Sequence, residues 1–243
     1  LAEKAYREYL QKRYGDIAAL EKSWKLAAGT YKSFDDVPLF VKNDIYLDNA
    51  KGKDVNEFIY GVEQEMIDFY RKGLAAVNFD TYATLYDVLG QYRFISLKRD
   101  MPVITVHGYH NHPSSGLSSG SRMAQNSIVS VAALYYRYMA GSRVWNRPYL
   151  VTEYNAPFWG KYRHQEGLLF ASYSALQNYA AITAHQIPVN RIPAAMDDFY
   201  IGRDPVNRAG QVVAAFAYGR GDVKTSPHKV AVAVSDEYMR NHI

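Results

Sequence analysis

Apolar residues fall at helical spacing from the start of the chain, with Ala5, Tyr6, Tyr9, Leu10 and Tyr14 sharing one face. Gly15 stands where that helix must end. Asp16 is placed to cap a second helix, in which Ile17, Leu20 and Trp24 line up. Residues 29–53 read as a long loop with Pro38 and Gly52 as breakers. Asp54 followed by Glu57 resembles a capping box and predicts a helix to about Lys72, closed by Gly73. Beyond it the pattern changes. Residues 74–79 are short, apolar and strand-like, and 82–99 read as mostly helical. Residues 103–106 form a β-branched run between Pro102 and Gly108, and 113–121, rich in Ser and Gly, form a loop. A helix is predicted at 124–139, a strand at 149–152 after Pro148, a helix at 164–181 and a strand at 182–189. Asp204-Pro205 supplies a cap and a first-turn proline to a helix ending at Gly219, and Val230, Val232 and Val234 alternate as a strand.

Helices therefore alternate with short apolar runs from residue 54 onward, which implies an α/β fold with parallel strands. Four strand–helix units are expected, at 74–99, 103–139, 149–181 and 182–219. A (β/α)8 TIM barrel has eight such units in about 250 residues. The 243 residues match that length but carry half the units. The expected organisation is half a barrel over 1–225 and the first strand of a following domain over 226–243. Half a barrel exposes two sheet edges, so the chain is expected to be part of a larger polypeptide, with the remainder of the barrel as its partner.

Composition narrows the function classes. Hydrophobic residues at 48% and charged residues at 21% suit a globular protein, and no apolar run approaches the roughly 18 residues of a membrane span. With no cysteine, disulfides, thiolate metal sites and a cysteine nucleophile are excluded. The net charge is +4, with Lys and Arg scattered, so neither nucleic acid nor membrane is an expected partner. A homo-oligomer is permitted. Tyrosine, at 22 residues, is abundant; its flat face and hydroxyl suit stacking on sugar rings, or the boundary between helix and core.

In parallel α/β barrels functional side chains gather at the C-terminal ends of strands. Those ends carry Asn78, Phe79 and Asp80; His107, Gly108, Tyr109 and His110; Glu153, Tyr154 and Asn155; and His185 with Gln186. Glu153 follows Tyr149-Leu150-Val151-Thr152 directly, so its carboxylate emerges where a strand leaves the core. The alternative for Glu153 is an ion pair with Arg147 or Arg163. The run His107-Gly108-Tyr109-His110-Asn111-His112-Pro113 admits three readings: a metal site of His107, His110 and His112 with His185, a substrate site lined by His107 and Tyr109, or a turn cluster. Gly108 is taken to allow close approach of a substrate to the backbone. Trp159, on the loop after Glu153, is either a sugar platform or a loop anchor. There is no GxSxG, Walker or GxGxxG motif. Gly219-Arg220-Gly221-Asp222 reads as a helix stop and turn.

These segments have a counterpart. Tyr6-Arg7-Glu8-Tyr9-Leu10 through Tyr14-Gly15-Asp16-Ile17 to Leu20 and Trp24 resembles the helix pair after the fourth strand of clan A glycoside hydrolases, most closely the family 42 β-galactosidases and related agar- and galactan-degrading enzymes. Arg147-Pro148-Tyr149-Leu150-Val151-Thr152-Glu153 resembles their seventh strand, which ends in the catalytic nucleophile. Asp204-Pro205 to Phe216, with Arg220 to Lys224, is similar to the end of the barrel, and 229–234 to the entry of the next domain. The resemblance implies barrel strands five to eight and a retaining glycosidase on β-linked galactosides or related polysaccharides. It implies Glu153 as nucleophile and an acid/base Glu upstream of residue 1. His107 and Tyr109 would hold Glu153 or the sugar, and His110, Tyr154, Asn155 and Trp159 would contact an oligo- or polysaccharide. No cofactor or metal is implied; the alternatives are a carbohydrate-binding barrel without hydrolysis and a metal-dependent TIM-barrel hydrolase using His107, His110 and His112.

Overall fold

The computed structural model describes residues 1–87, 92–186 and 195–241, which divide into two compact units. One unit comprises Leu1–Thr81, Gln91–Leu97 and Ala233–Ile243; the other comprises Tyr82–Gly90 and Lys98–Val232.

The first unit is helical. Helix α1 (Ala2–Tyr14) ends at Gly15, whose φ of 77° is one that residues with a side chain rarely adopt. Helix α2 (Ile17–Trp24) starts on Asp16, whose carboxylate accepts the Ala19 N–H at 2.8 Å. Both follow the sequence pattern. The loop beyond α2 is tied down by Glu21, whose carboxylate accepts the N–H groups of Tyr31 (2.8 Å) and Gly29 (2.9 Å) and is held by them below its ordinary pKa. Helix α3 (Ala50–Ala76) starts earlier than predicted, because Asn49 and not Asp54 is its cap, accepting from the Gly52 N–H at 3.0 Å. Any side chain at Gly52 would collide with the Leu47 carbonyl oxygen, so the turn before α3 needs glycine there. The core of this unit is Tyr6, Leu10, Leu20 and Val55 with Val37, and the Tyr6 ring meets the edges of Phe40 and Phe58 at 5.1 Å.

Two predicted elements are corrected here. Residues 74–79, expected as a strand, complete α3 and turn away from it, because α3 continues through Gly73. A short apolar run fits either helix or strand, and here the preceding helix decides. Residues 229–234, expected as the strand entering a next domain, form no strand and lead into the short helix at 236–241.

Among the described residues of the stretch predicted as helix, Tyr92–Lys98 (α4) is helical, while 82–86 form no regular element and Tyr86 takes a left-handed φ of 59°. The second unit is built on a parallel sheet of β1 (Ile104–Tyr109), β2 (Tyr149–Asn155) and β3 (Ala181–Ala184), in the order β1-β2-β3. Helix α5 (Leu134–Ala140) lies in the β1–β2 connection and α6 (Glu166–Leu176) in the β2–β3 connection, and α7 (Pro205–Ala214) follows; α8 (Asp236–Asn241) belongs to the first unit. The parallel α/β order is as predicted, with three strands among the described residues. The predicted strand at 182–189 is realised as β3, and 187–189 lie outside the described residues.

Ile104, Val106, Tyr149 and Val151 fill the strand side of the core, with Phe170 and Ala171 from α6 buried as well. A Cβ on Gly167 of α6 would meet the Gly210 carbonyl oxygen of α7 at 2.1 Å, so these helices touch backbone to backbone. Asp204 caps α7 through the Val206 N–H at 3.0 Å and pairs with Arg163 at 2.6 Å. Among the described residues no helix is long and apolar enough to cross a membrane.

Candidate functional site

β1 and β2 run in register from Ile104↔Tyr149 to Val106↔Val151, after which the next partners are His107↔Glu153. Thr152 is the extra residue, a β-bulge of the kind that re-aims side chains at a strand end. Beyond the bulge, the two strands bring His107 beside Glu153.

Glu153 keeps 35% of its side chain exposed, enough for its carboxylate to meet a solute. The Tyr109 hydroxyl donates a short hydrogen bond to its Oε2, and His185 Nδ1 lies 3.6 Å from the same oxygen. Neither arginine offered as a structural partner reaches it: Arg163 pairs with Asp204, and Arg147 donates to the Arg99 carbonyl. Tyr109 is framed by rings, with Phe199 at 4.8 Å, His112 at 5.6 Å, His185 at 5.7 Å and His107 at 6.1 Å between centroids.

On the far side of His107 stands Asp87. Its Oδ2 is 2.6 Å from His107 Nδ1, the Thr152 hydroxyl sits 2.8 and 2.7 Å from its two oxygens, and its carbonyl accepts the His107 N–H at 3.1 Å. Burial alone would raise the Asp87 carboxyl, but the hydrogen bonds from His107 and Thr152 outweigh it and hold the group below its ordinary value. An ionised carboxylate only accepts, so the proton of that pair sits on His107 Nδ1 and leaves Nε2 as the uncommitted nitrogen.

Of the residues singled out in the sequence, Glu153, Tyr109, His107 and His185 are brought together. Others are placed elsewhere, Tyr154 by the alternation of strand side chains. Tyr154 is 2% exposed, stacks on Phe170 at 4.0 Å and donates to Gln211 at 3.3 Å, which makes it a core residue. Asn155 is equally buried; its amide N–H donates to the His185 carbonyl and its oxygen accepts from Asn207 at 3.4 Å, so it fixes the chain after β3. His110 is buried and donates from Nε2 to the Asn126 carbonyl at 2.7 Å. Gly108 faces Met139 of α5, with the sulfur 3.0 Å from where a Cβ would be, so the close approach it permits is that of a helix. Trp159 is half-buried on the loop after β2, with a left-handed φ of 48°. Asn78, Phe79 and Asp80 do not end a strand.

The histidines do not converge as ligands. His107 is committed to Asp87, His110 to Asn126 and His112 to the Pro113 carbonyl at 2.8 Å, and no group of three ligating side chains is found among the described residues.

Asp87 and Phe199 escaped the sequence reading. Asp87 follows the run Tyr82-Ala83-Thr84-Leu85-Tyr86, the same signature of apolar residues ending in a carboxylate that marks Glu153. A helix prediction over 82–99 hid it. Phe199 carries no local signal.

No family model matches the chain, and no curated protein matches it. A solved polyextremophilic β-galactosidase from the Antarctic haloarchaeon Halorubrum lacusprofundi is similar with a TM-score of 0.47 and 17% identity, covering 88% of this chain and 34% of that one. The chain thus spans about a third of that enzyme's length.

Proposed function

We propose that this chain carries the nucleophile of a retaining glycoside hydrolase acting on β-linked galactosides or related polysaccharides, as part of a TIM barrel. The observation that carries the proposal is Glu153: a carboxylate at the C-terminal end of a parallel strand, one-third exposed, without an Arg or Lys partner among the described residues, and oriented by a tyrosine hydroxyl. A carboxylate kept for stability is normally paired or buried under its partners.

In this chemistry a Glu153 carboxylate oxygen attacks the anomeric carbon as the bond to the leaving oxygen breaks, giving a glycosyl ester. Water then cleaves the ester and regenerates the carboxylate. Tyr109 holds the attacking group in one orientation, which is the positional contribution a protein makes to such a step. A second carboxyl, roughly 5–5.5 Å away across the bond, must protonate the leaving oxygen and then activate water. The sequence resemblance assigns it to a segment before residue 1. His107 Nε2 and the rings of His112 and Phe199 are candidates to meet the sugar.

A 2-deoxy-2-fluoro-β-galactosyl fluoride tests this directly. The expected result is a covalent adduct, located by peptide mass spectrometry on Glu153, that Glu153→Gln abolishes. Hydrolysis of aryl β-galactosides unchanged in Glu153→Gln would overturn the assignment. Sugar binding without adduct or turnover would favour a carbohydrate-binding role instead.

A further inference from the structure

Asp87 is joined to two neighbouring strands at once. Its carbonyl and its carboxylate both bond His107 of β1, and the same carboxylate takes the Thr152 hydroxyl at the β2 bulge. Nothing in the glycosidase chemistry requires a carboxylate there, and Asp87 does not touch Glu153 through any hydrogen bond in the structure. What it does touch is the imidazole next to the nucleophile. His107 has two chemically different ring nitrogens, and a free imidazole in water exchanges its proton between them. A sugar hydroxyl facing His107 would meet an acceptor in one tautomer and a donor in the other.

We propose that Asp87 is a positioning residue: it fixes the His107 ring and its Nδ1–H tautomer, and so presents Nε2 as a hydrogen-bond acceptor for a hydroxyl of the glycosyl unit beside Glu153. The proposal rests on the glycosidase reading for the identity of the ligand, but not for the tautomer. Thr152 is the second support, since its hydroxyl lies within hydrogen-bond distance of both Asp87 carboxylate oxygens, one of them shared with His107. The bulge that aims Glu153 thus also supplies the hydroxyl that steadies Asp87.

Two measurements on the full chain test it. Long-range 1H–15N spectra of histidine-labelled protein, assigned with His107→Ala, should show His107 as the Nδ1–H tautomer. Asp87→Asn, whose amide can donate to Nδ1, should shift it toward Nε2–H. Hydrolysis should fall about tenfold in kcat/KM for Asp87→Asn, the cost of about one misdirected hydrogen bond. The double variant Asp87→Asn/His107→Ala should lose no more than His107→Ala alone, because Asp87 acts through His107. Should Asp87→Asn not fold, Thr152→Val, which keeps the β-branched shape, should move the tautomer the same way by less. An unchanged tautomer in the folded variants, or losses that simply add, overturns the proposal. A shifted tautomer in a protein with no hydrolysis would leave Asp87 in its role toward the imidazole and overturn the glycosidase reading and the sugar ligand with it.

Discussion

Asp54 shows 1% of its side chain to solvent and is held from α1 and α2: Arg13 Nε pairs with Oδ1 at 2.7 Å, while the Tyr14 hydroxyl and Trp24 Nε1 both donate to Oδ2 at 2.6 Å. Glu153 shows 35%, and its close donor is a single tyrosine hydroxyl. Both are acids set among aromatic rings in short, well-packed surroundings. Asp54 ties α1, α2 and α3 together by consuming the donors that those helices offer. Glu153 is oriented but not consumed, so its remaining lone pairs are available to an incoming atom. The lesson is that a cation partner and converging donors, more than burial of the neighbours, separate an acid that holds a fold from one that can react.

The strongest way to break this contrast is to remove each charge. Glu153→Gln should lower glycoside hydrolysis by at least about 10³-fold, or about 4 kcal/mol of barrier, as expected for loss of a nucleophile. Its denaturant midpoint should stay close to wild type, since no buried cation is orphaned. Asp54→Ala should do the reverse. It strands the Trp24 N–H, leaves the Tyr14 hydroxyl with Ser23 at 3.0 Å and frees a half-exposed Arg13, and should cost about 3–4 kcal/mol in urea unfolding. A stable Asp54→Ala protein, or an unstable Glu153→Gln one, would erase the distinction.

A third acid sharpens it. Glu166, at the start of α6, is 1% exposed and takes a short hydrogen bond from the Tyr135 hydroxyl, while its other oxygen has no partner. Burial raises its pKa to about 7, against the smaller opposing effect of Tyr135. The folded state therefore holds this proton more tightly than the unfolded chain, whose carboxyl titrates near the ordinary value. As pH rises from about 4.5 toward 7, the unfolded state has already released the proton and the folded state has not. The Glu166 contribution to stability then declines with rising pH and levels off above about 7, by on the order of 3 kcal/mol. Unfolding free energies across that window should show the decline, and Glu166→Gln should flatten it. Glu166 thus combines the burial of Asp54 with too few donors, and its signature is a proton.

The candidate nucleophile was legible because one strand, Tyr149 to Thr152, is apolar and ends abruptly in an acid. Helices α1 and α2 were legible because Gly15 and Asp16 terminate and cap them in adjacent positions. Where Tyr154, Asn155 and His110 sit is not legible from their nearness in sequence to Glu153 or Tyr109: the two-residue alternation of a strand turns Tyr154 onto Phe170, and His110 bonds the Asn126 carbonyl. Asn155 escapes even that rule, since its burial comes from His185 and Asn207, far away in sequence. Asp87 lies in a stretch whose pattern predicts a helix, and its contacts with His107 and Thr152 come from strands distant in sequence.

The smallest effect falls on Tyr109, and it bears most directly on whether orientation matters once a carboxylate is left unsaturated. Tyr109→Phe removes one hydroxyl and keeps the ring that packs on Phe199, His112 and His185. Glu153 keeps its exposure and gains a further free lone pair, so availability alone would predict equal or faster attack. Orientation predicts the opposite, a loss of about tenfold in kcat, or about 1.4 kcal/mol, with KM little changed, because the lost hydrogen bond aims the nucleophile and does not hold the sugar. Steady-state kinetics on an aryl β-galactoside, with the thermal midpoint as control, decide between them. A variant with undiminished kcat would mean that Tyr109 merely fills space beside Glu153, and that an open carboxylate at a strand end is sufficient.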